Sequence, residues 1–114
     1  MIKRVGRKGE DAAADYLSGI GHKILHRNYR TPLGEADIIT SDKDVLVFVE
    51  VKARTGTAFG EPFEAVNSRK QHKLKKIALY YLKLLKAERP VRFDVVSIIS
   101  RNGKNEIKHI IEAF

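Results

Sequence analysis

A chain of 114 residues, 43% of them hydrophobic, is long enough for one sheet-and-helix core over residues 1–114 and too short for two. With no cysteine it forms no disulfide, no thiolate zinc site and no cysteine nucleophile, a composition that suits a reducing compartment. The 22 Lys+Arg against 14 Asp+Glu, a net charge of +8, favour a polyanionic partner, nucleic acid above all. No stretch approaches the ~18 apolar residues of a membrane span. The charged start, Met1 to Lys8, is not followed by the apolar run of a signal peptide, so the expected location is cytoplasmic.

In chain order, Ala13, Tyr16, Leu17 and Ile20 recur at helical spacing between Gly9 and Ile20, and Gly19 and Gly21 stop the run. His22 to Tyr29 alternates as a first strand, with Pro32 and Gly34 marking the turn after it. Glu35 to Thr40 and Asp44 to Arg54 read as a hairpin joined through Ser41 to Asp44. Thr55 to Val66 reads as a loop, of the kind that borders a site on a rigid scaffold. Leu74, Ile77, Ala78, Tyr81, Leu82 and Leu85 mark a long helix, capped by Asn67 or Ser68 and stopped by Pro90. Val91 to Ile99 is a fourth strand. Asn102-Gly103 turns it into a fifth, Glu106 to Ile111. The order is αβββαββ, an α/β class with a central five-stranded sheet flanked by helices.

The candidate chemistry lies in the hairpin. Strand residues alternate faces, so Glu50 and Lys52 point the same way, about 7 Å apart along the strand. A two-residue loop at Asp42-Lys43 sets Asp37 opposite Phe48, and one at Lys43-Asp44 sets it opposite Glu50. Both keep Asp37 on the face of Glu50 and Lys52, whereas a bulge or an odd loop breaks that parity. Magnesium prefers hard oxygen ligands, one or two carboxylates with water and phosphate. Asp37 and Glu50 are candidate ligands of Mg²⁺ or Mn²⁺, with the Val51 carbonyl as a third. Lys52 is placed to orient an attacking water or to stabilise the transition state of phosphodiester hydrolysis, with a general-base role as the alternative.

Glu10 falls on the sheet-facing stripe of the first helix with Ala13, Ala14 and Leu17. A carboxylate there needs a partner, such as Lys52 or a metal's hydration shell, unless it only complements the helix dipole. Lys70 and Gln71, in the first turn of the long helix, are candidates to hold a phosphate or to order the carboxylates. Arg27, Arg30 and Arg54 suit phosphate contacts or are solvated charges. Phe59 and Phe63 could stack on a base or cover a core edge. His22, His26, His72 and His109 lack zinc-motif spacing. Asp94, on an otherwise apolar strand, favours an ion pair with Arg92 or a lysine over catalysis.

These motifs resemble, in order and over nearly the whole chain, the PD-(D/E)XK nuclease superfamily and, more closely, the small bacterial YraN-like family. The resemblance is carried by Gly9-Glu10 with Ala13 and Leu17, by Arg27-Asn28-Tyr29-Arg30, and by Gly34-Glu35-Ala36-Asp37. Phe48-Val49-Glu50-Val51-Lys52-Ala53-Arg54, Ala65-Val66, Arg69-Lys70-Gln71, Arg92-Phe93-Asp94-Val95-Val96 and Ile110-Ile111-Glu112-Ala113-Phe114 continue it. It implies a restriction-endonuclease-like core with a mixed sheet, Asp37, Glu50 and Lys52 as the catalytic set, and Glu10 as the helical glutamate. Ala36 stands where the superfamily's signature has proline, which leaves the ligand Asp37 in place. The implied activity is a Mg²⁺- or Mn²⁺-dependent endonuclease on DNA. Branched DNA is suggested by the archaeal Holliday-junction resolvases that share the arrangement. The alternatives are a non-catalytic nucleic-acid-binding module on the same fold, or an accessory subunit completed by a protein partner. Junction cutting would favour a two-fold homodimer.

Overall fold

The computed structural model describes residues 2–55 and 66–114, with side chains from residue 9 to 53 and from 66 onward. The elements follow the expected order: α1 (Ile2–Gly19), β1 (Lys23–Thr31), β2 (Gly34–Asp42), β3 (Val45–Thr55), α2 (Ser68–Leu85), β4 (Val91–Arg101) and β5 (Lys104–Ile110). The strands form one mixed sheet in the order β1-β2-β3-β4-β5. Neighbours are antiparallel except β3 and β4, which run parallel. A parallel pair needs a long crossover, and that crossover contains α2. No described helix is long and apolar enough to cross a membrane.

The two helices explain why β3 is apolar on both faces. Val47 and Val49 join Ala13, Leu17, Ile38, Val96 and Ile98 in a core under α1. Leu46 and Phe48 join Ile39, Leu74, Ile77 and Tyr81 in a core under α2. Asn67 caps α2, its side chain accepting from the Lys70 N–H at 3.0 Å. The helix ends at Leu85, ahead of Pro90, because Lys86 adopts the left-handed conformation that closes a helix C-terminus. Asn102 and Gly103 both have positive φ, as a type I′ hairpin turn requires.

The start of the first helix departs from the sequence reading. Helix α1 begins at Ile2 rather than near Gly9, since Lys3, Arg4, Arg7 and Lys8 are good helix formers that add no sheet-facing periodicity. On the α1 face, Asp94 makes the expected ion pair with Arg92 and is also the hub of a wider buried polar network. Its carboxylate accepts from Arg92 Nε and Nη2 at 2.9 and 3.0 Å and from the Glu112 N–H at 3.1 Å, and it lies 2.7 Å from His109 Nε2. His109 Nδ1 in turn meets the Tyr16 hydroxyl at 3.0 Å, and buried His22 bonds Thr40 at 2.7 Å. Burial alone would raise the Asp94 pKa. The hydrogen bonds from His109, Arg92 and Glu112 outweigh it and hold the carboxyl down at about 2.

The N-terminal half of α1 is set by a close approach. A Cβ on Gly9 would lie 2.7 Å from the Ala53 Cβ. Both atoms sit directly on backbone, so no rotamer relieves the clash. Gly9→Ala gains up to ~1 kcal/mol of helix propensity but pays ~1–3 kcal/mol of overpacking. We expect a net loss of stability, read as a lower urea midpoint. A raised midpoint would show that α1 does not seat on β3 at this position.

Candidate functional site

The site begins where two strands part. The β2–β3 ladder runs from Asp42 opposite Val45 to Ile38 opposite Val49, closed by a Lys43-Asp44 loop with Lys43 at φ 57°. Of the two expected loops this is the one that would bring Asp37 to Glu50 at the next rung. Past Ile38 and Val49, β2 stays paired with β1 to Gly34, and β3 stays paired with β4 to Thr55. The Val51 N–H therefore has no backbone partner on β2, and the Asp37 carboxylate accepts it at 2.9 Å. In an antiparallel ladder a residue's N–H and C=O project to the same edge, so the Val51 carbonyl also faces the opening.

Asp37 does not stand squarely on the face of Glu50 and Lys52. Ile38 packs under α1 while Ala36 packs under α2, so the alternation of β2 breaks at Asp37. Across from it on β1, between the Arg27–Ile38 and Tyr29–Ala36 pairs, Asn28 has φ 53°. Asparagine tolerates this left-handed conformation better than most residues. The resulting twist lets the Asp37 carboxylate reach across the fork to β3.

Glu50 and Lys52 do share the α2 face. The buried Glu50 carboxylate lies 2.5 Å from the Lys70 ammonium and 3.6 Å from that of Lys52. Burial, then the adjacent Lys70, holds the Lys52 pKa below the ordinary lysine value. Burial also acts to lower Lys70, but the bonds to Glu50 and Lys52 prevail and raise it. Burial and the Glu50 charge push Asp37 up to about 7, with Glu10 adding to the rise and the Val51 N–H and Lys70 opposing it. Glu10 is itself buried, carried to this end of the sheet by the tight seat of Gly9.

The remaining candidates are placed differently. Gln71 turns away and donates to the Val66 carbonyl at 3.1 Å, tying down the segment before α2. Arg27 pairs with Asp11 of α1 and Arg30 with Glu35 of β2. The Arg54 side chain, and Phe59 and Phe63, lie outside the described residues. One residue that sequence reasoning missed is Ser97, beside Lys52 in the β3–β4 register, whose buried hydroxyl has no hydrogen-bond partner among the described residues. Its only signal was a hydroxyl within the apolar run of β4.

Among the described residues no three acidic or histidine groups converge tightly enough to hold an ion unaided. The donor set nevertheless fits a hard cation that takes one or two carboxylates and completes its shell with water. Asp37 and Glu50 are neighbours whose charges repel, which adds to the effect of burial in raising the Asp37 pKa, and the Val51 carbonyl faces the same gap.

Fold and site together define an α/β protein with a partly buried carboxylate–lysine cluster where two central strands of a mixed sheet diverge. The chain belongs to the uncharacterised protein family UPF0102, the YraN family, whose model matches residues 9–98. It is 53% identical over 110 residues to the UPF0102 protein of Thermodesulfovibrio yellowstonii, covering 96% of this chain and 95% of that one. It is 50% identical to that of Syntrophomonas wolfei over the full length of both, and 44% identical to that of Bacteroides thetaiotaomicron over 96% and 91%.

An acid whose folded pKa is raised from 3.8 to about 7 makes the fold bind its proton more tightly than the unfolded chain. Its ionisation therefore erodes stability progressively as pH rises from about 4 to 7. Asp37→Asn keeps an oxygen for the Val51 N–H and removes the charge. In chelator at pH 8 this variant should be more stable by on the order of 2 kcal/mol, with the gain vanishing toward pH 4. Thermal melts across that range test it, and a less stable variant at pH 8 would refute the electrostatic account.

Proposed function

We propose that the protein is a metal-dependent endonuclease that hydrolyses phosphodiester bonds of DNA, in the manner of the PD-(D/E)XK superfamily. The observation that carries the reading is the meeting of Asp37, Glu50, Lys52 and Lys70 at the β2–β3 fork. Holding the Asp37 carboxylate out of water beside Glu50 costs stability, a cost that a chain with chemistry to do has reason to bear.

In this reading Asp37, Glu50 and the Val51 carbonyl hold Mg²⁺ or Mn²⁺, and Glu10 orders water around it. The cation supplies charge neutralisation at the scissile phosphate and makes a water more acidic. Lys52, with its lowered pKa, orients the attacking water and stabilises the charge that develops on the phosphoryl oxygens. Lys70 leaves Glu50 for a non-bridging phosphate oxygen, which the proximity of both lysines to one carboxylate allows. A net charge of +8 supports a polyanionic substrate held mainly through its backbone. Structured or branched DNA is the substrate suggested by the fold analogy, and the cytoplasm is the place of action.

The test is cleavage of labelled linear, flap and four-way DNA, with a matched RNA, in Mg²⁺ and Mn²⁺. Wild type and Glu50→Ala are purified identically and compared, with Glu50→Gln as a variant that keeps the side-chain shape. We expect metal-dependent cleavage by the wild type, falling to the protein-free level in both variants. Full cleavage by folded Glu50→Ala would remove the assignment. Binding without cleavage by the wild type would instead favour a non-catalytic binding module or a subunit that needs a partner.

A further inference from the structure

The first turns of α2 carry more charge than the Asp37–Glu50 centre uses. Lys70 serves that centre. Ser68, Arg69, His72, Lys73 and Lys76 line a separate groove whose other wall is Leu33, in the β1–β2 turn. That turn is organised by Thr31, whose hydroxyl accepts from the Leu33 and Gly34 N–H groups at 3.0 and 3.1 Å. Lys73 is seated on it: a Cβ at Gly34, where φ is 141°, would lie 2.9 Å from the Lys73 Cδ.

Arg69, Lys73 and Lys76 follow i, i+4, i+7 spacing, one stripe of the helix about 10 Å long. No described carboxylate lies within ion-pairing distance of any of them. The first turn of α2 contains no acidic residue. Arg69, in the first turn, opposes the helix dipole, and the spacing sets each cation of the stripe beside a like charge. Among the described residues nothing offsets this repulsion, and an anion lying along the stripe would relieve it. A small anion needs donors that converge on a point. Here the cations are strung in a line, which suits a chain of anions.

We propose that this groove holds the sugar-phosphate backbone of the nucleic acid, its three cations neutralising about two or three consecutive phosphates of one strand at their 3.4 Å axial spacing. The proposal rests on the nuclease reading for the fate of the strand but not for its binding. Arg69 and Lys70 are adjacent in one turn, so the groove and the Asp37–Glu50 centre meet at the start of α2. The described lining is dominated by cations, which suits contacts to the sugar-phosphate backbone.

The experiment compares the triple variant Arg69→Gln, Lys73→Gln, Lys76→Gln with a control of equal charge loss, Lys83→Gln, Lys86→Gln, Lys104→Gln. Affinity for a fluorescein-labelled DNA duplex is measured by anisotropy in chelator, over a range of salt. Each phosphate that is no longer neutralised should lower the slope of log K against log salt by about 0.9. We expect the groove variant to fall by about 2–3 in slope and at least tenfold in affinity at low salt, and the control to fall by less than one in slope. The groove variant's melting temperature should equal or exceed that of the wild type, since like-charge repulsion along the stripe is removed. Equal slopes for the two variants, or no binding of duplex by the wild type, would overturn the groove. Cleavage is scored separately: a groove effect without any metal-dependent cutting refutes only the nuclease, and cutting with an unchanged slope refutes only the groove.

Discussion

Strand β2 cannot follow both of its neighbours to the end. It stays with β1 while β3 goes with β4, and the parting leaves the Val51 N–H facing a gap. A buried N–H without a partner is costly, and here the Asp37 carboxylate satisfies it. One hydrogen bond thus meets a demand of the backbone and fixes the orientation of the acid. Glu50, Lys52 and the Val51 carbonyl are held nearby by a strand buried on both faces, so the cluster is placed by rigid elements.

Two aspartates, Asp94 buried and Asp37 half-buried, show how far surroundings alone can separate identical side chains. Asp94, fully enclosed, is surrounded by donors from Arg92, His109 and Glu112, and its carboxyl is held at about 2. Asp37 receives one backbone N–H, faces Glu50 and Glu10, and is pushed to about 7. The first arrangement is saturated. It fastens the C-terminal segment to the sheet, helped by the Ala113 N–H bond to the Phe93 carbonyl and by Phe114 stacked on Phe93. The second retains unsatisfied demand for positive charge, which is what a site that must take up a cation or a phosphate requires.

The sequence was most legible where period and local chemistry decide the outcome. Alternation along β3 placed Glu50 and Lys52 together, the helical stripe buried Glu10, and Asn102-Gly103 turned as its φ requirements demand. It was least legible where a long-range interaction redirects a side chain. The left-handed Asn28 and the break at Asp37 belong to no period. Gln71 occupies the expected helix turn but finds the Val66 carbonyl first. His22 and His109, ordinary in their spacing, meet through tertiary packing at 6.0 Å between ring centroids. The line of Arg69, Lys73 and Lys76 was visible as charge. Only the opposing β1–β2 turn makes it a groove.

The parallel pairing of β3 with β4 has a consequence for how the chain assembles. The α1–β3 portion can form its hairpins from local pairings. β3 then waits as an edge until residues 56–90 have been made and β4 arrives. During that interval Val45-Leu46-Val47-Phe48-Val49 is an apolar strand with an open ladder, the kind of segment that recruits other chains. Glu50, Lys52 and Arg54 interrupt the run immediately after Val49. Charges at the end of such a segment act as gatekeepers against aggregation, so the same residues that furnish the site also protect the nascent sheet.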